Sequence, residues 1–355
     1  MDALTTPSNW QKVRLGDILT LKHGRDYKNF KLGNIPVYGS GGYMLSINNF
    51  LHNGESVCIG RKGTIDKPIY LNGKFWVVDT LFYSYSFKKS IPKFIFYAFS
   101  IIKWSNYNEA TGVPSLTKMT ISNIEILLPP LNEQIAIANI LSDVDHYLYS
   151  LDALILKKES VKKALSFELL SQRKRLKGFN QNWQRVRLGD IANYLTSNLS
   201  AEQITQQGKI KVYDVNNFIG YTDTTFISDK PYISIVKDGS VGRVRILPPK
   251  TNILSTMGAL VANHKTTTEF LFYLLSNFDF KNFTSGSIIP HIYFKDYKEK
   301  TIFLPPLNEQ IAIANILSAL DHEIISLKNK KRQFDNIKKA LNHDLMSAKI
   351  RVLKK

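Results

Sequence analysis

The stretch LPPLNEQIAIANILS, at Leu128–Ser142, decides the fold because the chain repeats it letter for letter at Leu304–Ser318, 176 positions later. A second motif, WQKVRLGDI at Trp10–Ile18, returns as WQRVRLGDI at Trp183–Ile191. Fifteen identical residues in a row do not arise by chance, whereas the sequence between the repeated blocks diverges. The chain is therefore one unit used twice, with a constant start, a variable body and a constant end. A solenoid would vary evenly and would have a shorter period.

The constant end predicts a long helix that pairs with a second helix. Asn132 can cap its first turn, and Glu133 is a favourable charge there. Apolar residues then follow at alternating steps of four and three, which is the heptad pattern of a coiled coil. The first helix is expected from about Asn132 to Lys174, roughly 65 Å at 1.5 Å per residue. The predicted seam contains Ile137, Leu141, Val144, Leu148, Leu151, Ile155, Leu165 and Leu169, and in the second copy Ile313, Leu317, Leu320, Ile324, Leu327, Phe334, Leu341 and Leu345.

The variable bodies have the sequence pattern of mixed α/β domains. Runs rich in β-branched and aromatic residues alternate with Gly and Asn turns, which predicts strands at 36–38, 56–59 and 75–78. Amphipathic helices are expected near 92–102 and 268–277. We predict an α/β (mixed α+β) fold, with two globular domains separated by a long antiparallel two-helix coiled coil and related by a pseudo-two-fold internal repeat. The predicted boundaries are 1–130 and 179–306 for the two globular domains, and 131–178 and 307–355 for the two spacer helices.

The connection between the helices indicates their direction. The second body must carry the chain from the end of the first helix to the start of the second. A compact body of about 125 residues has a radius near 14 Å, too small to span a full helix length, so we expect antiparallel pairing with one body at each end. Two seam positions differ between the copies, which we interpret as fixing the register: Ile155 matches Lys331, and Lys158 matches Phe334.

The composition favours a polyanionic partner. Lys and Arg number 47 against 29 Asp and Glu, a net charge of +18, and nucleic acid is the first candidate. A single cysteine, Cys58, forms neither an intrachain disulfide nor a multi-cysteine metal site. The apolar runs are shorter than a membrane-spanning helix needs, and Met1–Leu4 do not begin a secretory signal. We therefore expect a cytoplasmic protein.

A doubled basic protein suits a split DNA target. Proteins that match the two-fold symmetry of DNA read half-sites separated by whole helical turns. Because the two bodies differ in sequence, their half-sites should differ, and a rigid spacer would fix the gap between them. The alternative is a non-catalytic coiled-coil scaffold that joins two protein partners, with a basic surface that only keeps it soluble.

The constant blocks resemble those of the specificity (S) subunit of type I restriction–modification systems. The likeness rests on the doubled Trp-x-x-Val-x-Leu-Gly-Asp-Ile opening, on the Leu-Pro-Pro-Leu-x-Glu-Gln helix start, and on a Gly-containing segment before each helix. That segment is TGVPSL at Thr111–Leu116, with SGSIIP at Ser285–Pro290 as a looser counterpart. The second segment lacks the Leu spacing of the first, which weakens transfer position by position.

The resemblance implies the biochemical setting. Each variable body would be a target recognition domain that reads one half of a bipartite, asymmetric double-stranded DNA site. The antiparallel helices would fix the gap and dock methyltransferase (M) subunits, two in number, through apolar surface outside the seam. Nuclease–translocase (R) subunits would join to make the restriction enzyme. S-adenosylmethionine for adenine methylation would bind the M subunits, and ATP and Mg²⁺ the R subunits, with no cofactor in this chain.

The residues themselves predict no catalysis by this chain. The Leu-Pro-Pro-Leu motif lacks the polar residue with which an adenine methyltransferase holds the target amino group. A nuclease would need carboxylates and a lysine around a metal ion, and the segment 296–300 is more typical of a surface turn. A metal site from His146 and His322 is conceivable, but exposed helix faces explain both residues. We therefore predict a non-catalytic subunit.

DNA-reading residues should lie in loops or at helix ends, with donors and acceptors that reach base edges. Glycines in those loops would let backbone amides approach phosphates, although they could equally serve only as turns. Two basic clusters, at 173–177 and 328–332, are either phosphate contacts or exposed helix faces. The candidates are Tyr38, Gly39, Ser40, Gly41, Gly42, Arg61, Lys62, Thr64, Thr111, Gly112 and Ser115 in the first body, and Asn216, Asn217, Lys237, Ser240, Arg243, Ser285, Gly286, Ser287 and His291 in the second.

Overall fold

The computed structural model describes residues 9–352, so Met1–Leu4 lie outside it. The chain divides into two compact units, one formed by Met1–Asp152 with Asn329–Lys355 and the other by Ala153–Lys328. Each unit contains one variable body and parts of both long helices. Within residues 9–352, no helix combines the length and the apolar character that crossing a membrane would require.

The first unit is a mixed α/β body packed on helix. Strands at 36–38, 56–59 and 75–78 were expected, and all three segments fall in or overlap strands. The predicted helix near 92–102 is present at Pro92–Ile101. The strands are β1 (Gln11–Arg14), β2 (Thr20–His23), β3 (Leu32–Gly39), β4 (Gly42–Ile47), β5 (His52–Asn53), β6 (Ser56–Gly60), β7 (Ile69–Leu71), β8 (Lys74–Val77), β9 (Leu81–Tyr85) and β10 (Glu125–Leu128), and the helices are α1 (Leu15–Ile18), α2 (Pro92–Ile101), α3 (Lys118–Asn123) and the long α4 (Leu131–Leu170).

Three sheets build the first body. One is the antiparallel pair β1–β10, and the two four-stranded sheets have the orders β2-β9-β6-β7 and β4-β3-β8-β5. The central strand β6 is buried along its whole length, which explains the apolar run Val57–Ile59 within it. Helix α2 covers this sheet with Phe94, Ile95 and Phe99, all of which belong to the main buried cluster of the unit.

The second unit repeats the plan with different loops. Its four-stranded sheet and its covering helix correspond to those of the first unit, and the expected helix near 268–277 is present. The strands are β11 (Gln184–Arg187), β12 (Ala192–Thr196), β13 (Ile210–Tyr213), β14 (Phe218–Thr222), β15 (Tyr232–Val236), β16 (Val244–Leu247), β17 (Asn252–Ile253), β18 (Met257–Ala262), β19 (Thr284–Ser285), β20 (His291–Ile292) and β21 (Thr301–Leu304), and the helices are α5 (Thr268–Ser276), α6 (Phe294–Tyr297) and the long α7 (Leu307–Met346). The sheets are β11-β21, β12-β18-β15-β16, β14-β13-β17 and β19-β20.

The long helices pair antiparallel in the first unit. Asp145 of α4 forms an ion pair with Lys338 of α7. Two turns further along α4, Asp152 Oδ1 lies 2.8 Å from Lys331 Nζ. The residue number on α7 falls as the number on α4 rises, which confirms the antiparallel prediction.

The second unit shows the same direction and register. Lys158 Nζ of α4 lies 2.8 Å from Glu323 Oε1 of α7. Four residues later, Lys162 pairs with Asp321. The Lys162–Asp321 pair is the equivalent of Lys338–Asp145 at the 176-residue offset. The same ion pair between the long helices therefore occurs once in each unit.

All sixteen predicted seam residues are buried or half-buried. Their burial is compatible with the predicted seam, and Ile137, Leu141 and Leu345 share the main buried cluster of the first unit. The half-buried ones are Val144, Leu165, Leu320, Leu327, Phe334 and Leu341.

The helices end earlier than the heptad pattern indicated. Helix α4 ends at Leu170 rather than near Lys174, and α7 ends at Met346. Just beyond each end, a residue has a left-handed backbone, Gln172 at φ +62° and Ala348 at φ +57°, which a continuing helix does not allow. The segments 171–178 and 347–352 are therefore turns rather than spacer helix.

The repeated Glu-Gln pair fastens each body to its long helix. The Gln134 Nε2 donates to the carbonyls of Pro129 at 2.8 Å and Lys89 at 2.9 Å, and its Oε1 accepts from the Ile91 N–H at 3.1 Å. The buried carboxamide thus satisfies backbone groups of the body at the start of α2. Gln310 repeats this arrangement with Pro305, Lys265 and Thr267.

Candidate nucleic-acid interface

Two loops of the first unit are joined by backbone hydrogen bonds into a structure that we call the first clasp, residues 61–64 with 111–116. The Gly63 N–H donates to the Pro114 carbonyl, and the Leu116 N–H donates to the Arg61 carbonyl, both at 2.9 Å. Lys62 and Ser115 are paired between these two bonds as an isolated antiparallel bridge. The clasp therefore brings candidates from distant parts of the sequence together.

Thr80 ties the first clasp to the β3–β4 hairpin. Its carbonyl accepts from the N–H groups of Arg61 at 2.7 Å and Lys62 at 3.3 Å. Its Oγ1 accepts from the Ser40 N–H at 3.3 Å. Ser40 therefore lies beside the clasp.

The second unit contains the same structure, the second clasp, residues 237–240 with 287–292. The Gly239 N–H donates to the Pro290 carbonyl, and the Ile292 N–H donates to the Lys237 carbonyl, both at 2.9 Å. Asp238 and His291 are paired between them as an isolated antiparallel bridge. Every one of these positions lies 176 residues after its equivalent in the first clasp.

The clasps correct one sequence alignment. Ser285–Pro290 was taken as the counterpart of Thr111–Leu116, which matched Gly286 with Gly112. The shared hydrogen bond to the proline carbonyl instead makes Pro290 the equivalent of Pro114. Residues 287–292 are therefore the counterpart, and the earlier pairing was two positions out of register because it followed the glycines.

Gly63 and Gly239 form the tight turn in one loop of each clasp. Their backbones are left-handed, at φ +85° and +84°, a conformation that favours glycine. Sequence reasoning missed both residues. The signal was available, because they are two of the few positions at which the divergent bodies keep the same residue at the 176-residue offset.

The side chains on the two clasps differ in charge. The first clasp presents the exposed Lys62 beside Ser115. In the second clasp, the Asp238 Oδ1 lies 2.7 Å from the His291 Nδ1, and both side chains are about one-third exposed. One backbone frame thus holds two chemically different sets of donors and acceptors.

The remaining candidates of the first body lie on the β3–β4 hairpin or within the clasp loops. Tyr38 is half-buried, with its ring edge-on to Tyr43 at 6.0 Å. The buried Gly39 and the exposed Gly41 line an open cleft of about 730 Å³ beside Thr80. Gly42 also lines this cleft. Thr64 is half-buried at the end of one clasp loop, and Thr111 and Gly112 are exposed at the start of the other.

The candidates of the second body form two groups. Arg243 Nη2 donates to the Asn216 Oδ1 at 2.9 Å, and Arg245 Nη1 donates to the Asn216 carbonyl at 2.9 Å. Asn217 follows in the same exposed turn, held by a hydrogen bond to Asp214. The second group is the exposed stretch that leads into the clasp, Ser285, Gly286 and Ser287, with Ser240 exposed on the facing loop.

The two basic clusters are partly structural. Arg175 Nη2 lies 2.7 Å from the carboxylate of Glu309, which is buried. Arg175 therefore pairs with a buried charge inside the second unit. Lys328 pairs with Glu159 at 2.6 Å, and Lys331 pairs with Asp152 at 2.8 Å, between the long helices. These three residues therefore form ion pairs within their units rather than a simple exposed helix surface.

Several buried thiol and phenol groups among residues 9–352 have raised pKa values. Burial raises the pKa of the Cys58 thiol from 9.0 to about 12, against a smaller lowering by Ser56. Burial also raises the pKa of Tyr97 and of Tyr273, and hydrogen bonds to Asp145 and Asp321 raise them further. In the described range 9–352, no group of three or more His, Cys, Asp or Glu side chains is placed to hold a metal ion. His146 and His322 are both exposed on their helices.

A family model matches most of the chain. The model described as "Type I restriction modification DNA specificity domain" matches residues 7–158 and again residues 180–334. The two matches cover the two copies of the repeat. Each match contains one variable body with its clasp and the beginning of a long helix.

Curated relatives extend this similarity over the full length. The type I restriction enzyme MjaVIII specificity subunit of Methanocaldococcus jannaschii is 25% identical over 419 residues, covering 99% of this chain and 95% of that protein. The putative type I restriction enzyme MjaX specificity subunit of the same organism is 30% identical over 292 residues, covering 74% of this chain and 68% of that protein.

Solved structures share the fold. The type I restriction–modification S subunit from M. genitalium has a TM-score of 0.70 at 20% identity, covering 97% of this chain and 98% of that one. A chain from a study of complex assembly and conformational transition of the type I R-M system has a TM-score of 0.58 at 15% identity, covering 97% and 99%. At these identities the likeness concerns the fold alone.

Proposed function

Because this chain belongs to the family of type I restriction–modification DNA specificity subunits, we propose that each of its two domains reads one half of a split DNA target through its clasp. In this family the specificity subunit recognises DNA and does not catalyse the reaction. The observation that carries the proposal is the clasp itself. One set of backbone hydrogen bonds is built twice, 176 residues apart, and displays Lys62 and Ser115 in one domain but Asp238 and His291 in the other.

The difference between the clasps supports an asymmetric target. A lysine donates hydrogen bonds to the guanine O6 and N7 acceptors, whereas an aspartate accepts from the cytosine amino group. Exchanging Lys62 for Asp238 therefore reverses the hydrogen-bonding character at the same point of the frame. The two half-sites are expected to differ in the bases that these positions read.

The surrounding candidates divide between bases and phosphates. Beside the second clasp, the guanidinium of Arg243 donates to the carboxamide of Asn216. This pair presents hydrogen-bond donors and acceptors that suit base edges. The exposed Gly41 and Gly112, with only open space where a side chain would be, suit close approach of the backbone to phosphates. Exposed serines and threonines on the same loops can bond to either.

The helices support docking of two methyltransferase subunits. Leu131 and Ile135 of α4 and their equivalents Leu307 and Ile311 of α7 are each between 45% and 49% exposed. The same apolar pair thus stands on the first turns of each long helix, outside the seam. We assign one M subunit to each copy, and we assign the gap between half-sites to the length of the helices.

The cofactors belong to the partner subunits in this proposal. S-adenosylmethionine would bind the M subunits, and ATP with Mg²⁺ would bind the R subunits where these are present. The complex would work in the cytoplasm, where its DNA is. A titration of the isolated chain with S-adenosylmethionine should give no binding signal, and a micromolar affinity would contradict the assignment.

The function is tested by producing the chain with its M subunit and sequencing the methylated DNA. The expected product is adenine methylation at one split motif with two unlike halves and a fixed gap. Lys62→Ala should relax the first half only, and His291→Ala the second half only. Lys88→Ala removes the same charge outside the clasp and serves as the control.

Three results would contradict the proposal. Methylation that ignores sequence, or that follows a contiguous motif, removes the split target. Loss of both halves in either single variant removes the assignment of one clasp to one half-site. Salt-insensitive retention of protein partners without DNA binding favours the scaffold that joins two proteins.

A further inference from the structure

The contacts between the long helices are of two kinds. Some are identical in both units, as the repeat requires: Asp145 with Lys338 has its equivalent in Asp321 with Lys162. In these contacts each helix carries both the acid and the lysine. They hold any two copies of the helix together equally well, whichever copies are paired.

Other contacts differ between the units. In the first unit the Tyr147 and Phe334 rings pack at 4.6 Å between centroids. The equivalent positions in the second unit are Glu323 and Lys158, which form an ion pair at 2.8 Å. An aromatic contact in one unit thus replaces an ion pair in the other, and each needs one residue from α4 and one from α7.

Two further ion pairs have a fixed polarity. Asp152 lies 2.8 Å from Lys331 in the first unit, and Glu159 lies 2.6 Å from Lys328 in the second. The acid is on α4 and the lysine on α7 in both cases. The Asp152 carboxylate also raises the pKa of Lys331, mainly through their hydrogen bond.

The repeat shows which side chains would face each other if two copies of the same long helix paired in the register of α4 and α7. Since α7 is α4 displaced by 176 positions, Lys328 corresponds to Asp152. Two copies of α4 would therefore place Asp152 against Glu159, twice, and Tyr147 against Lys158. Like charges that face each other destabilise a helix pair, so pairing between two first halves would be weakened.

Two copies of α7 would meet a weaker conflict. Lys328 would face Lys331, and Phe334 would face Glu323. Asp335 lies at the same level and offsets part of the repulsion between the lysines. The exclusion is therefore sharpest for the first half of the chain, residues 1–178.

We propose that the middle of the helix pair is an interaction surface that selects its partner: it fits the unlike half of this chain and excludes a second copy of the first half. The identical contacts supply attraction, and the unlike contacts supply discrimination, because specificity is a difference between two affinities. The repeated contacts alone would let either half pair with itself, so the unlike contacts decide which helices pair.

The test starts from the folded full-length chain. A protease site inserted after Gly178 allows cleavage into two halves that remain together. Two such preparations, with different tags on the first half, are mixed and allowed to exchange. Pull-down on one tag should recover the second half in equal amount and almost none of the other tagged first half.

Charge exchange separates selection from stability. Glu159→Lys breaks one native ion pair and turns the Asp152–Glu159 repulsion into attraction, so capture of the other first half should rise about fivefold or more. Lys328→Glu breaks the same native pair without relieving that repulsion, and it is the matched control. The double variant E159K/K328E restores the native ion pair, so the thermal midpoint should return while capture stays high.

The outcomes are decisive in each arm. Capture of like first halves in statistical proportion by the unaltered protein overturns the proposal. So does a double variant whose capture equals that of the unaltered protein. Equal capture by Glu159→Lys and Lys328→Glu would show that only loss of stability matters, which also overturns it.

Discussion

Trp10 donates from its Nε1 to the Oε2 of Glu133 at 3.0 Å, although 123 positions separate the two residues. The Glu133 side chain is almost fully buried, and Arg351 closes on it with Nε 2.7 Å from Oε1. The opening motif of the repeat, the first turn of α4 and the turn after α7 therefore meet at one carboxylate. Glu309 repeats the arrangement with Trp183 and Arg175.

Replacing this carboxylate should destabilise one unit. Glu133→Gln keeps an acceptor for the Trp10 indole but removes the charge that Arg351 meets. Hydrogen bonds to a charged partner stabilise a fold by about 1.5–3 kcal/mol, so we expect a loss of about 2 kcal/mol and a lower melting temperature. Calorimetry should show the change, and Glu309→Gln should have the same effect in the second unit.

Exposed carboxylates provide the control for this prediction. Glu125 pairs with Lys12 on the surface of the same unit. Glu125→Gln should leave the melting temperature unchanged, because solvent screens exposed pairs. A glutamine at position 133 that melts like the unaltered protein would show that the buried cluster contributes nothing net.

The Cys58 thiol should resist alkylation in the folded protein. Burial raises its pKa from 9.0 to about 12. A raised pKa keeps the thiol protonated, so at pH 8 the reactive thiolate is roughly a thousandfold scarcer than in the unfolded chain. Iodoacetamide labelling followed by mass spectrometry should be slow from pH 7 to 9 and complete within minutes in guanidinium. Labelling of the folded protein at the unfolded rate would contradict the buried position.

Grafting one clasp onto the other domain should change one half-site. Asp238→Lys with His291→Ser gives the second clasp the side chains of the first. We expect altered bases in the second half of the methylated motif and an unchanged first half. Sequencing of modified DNA measures both halves in one experiment. An unaltered motif would mean that these two positions do not touch bases.

The salt dependence of DNA binding should report phosphate contacts. Each contact that is lost reduces the slope of log K against log salt by about 0.9. Lys62→Ala should lower the affinity, and the slope should fall by that amount if the ammonium meets a phosphate, but stay constant if it meets a base. Fluorescence anisotropy from 50 to 300 mM salt distinguishes the two, with Lys88→Ala as the comparison.

Lengthening the helix pair should change the gap in the target. Four residues inserted after Ser160, with four more at the facing level of α7 near Glu323, add about 6 Å at 1.5 Å per residue. That is roughly two base pairs at 3.4 Å each. The methylated motif should keep both halves and gain about two unread positions. A constant gap would show that the helices do not set it.

Periodicity and repetition predicted the parts of the fold that they control. The heptad steps predicted buried helix residues such as Leu141 and Leu317, because a packed helix face admits side chains only at that spacing. The antiparallel direction followed from chain connectivity alone. The helices at Pro92–Ile101 and Thr268–Ser276 were predicted as amphipathic helices near 92–102 and 268–277.

Long-range contacts were not visible in the sequence. Glu133 was expected to act only as a first-turn charge, because nothing local shows that Trp10 and Arg351 bind it. The clasps depend on backbone bonds between loops some 50 residues apart, which composition does not encode. The predicted end of the first long helix was also too late. Gln172 has a left-handed backbone, and glutamine is not a residue type from which that conformation is expected.

The Glu133–Arg351 pair has a consequence for biosynthesis. The domain that leaves the ribosome first lacks the partner of its buried carboxylate until residue 351 emerges, 218 positions later. At 5–20 residues per second, this interval lasts roughly 10–45 s. During that time the nascent first domain exposes an incomplete helix face, which makes chaperone binding or premature association with another nascent chain the hazards of its synthesis.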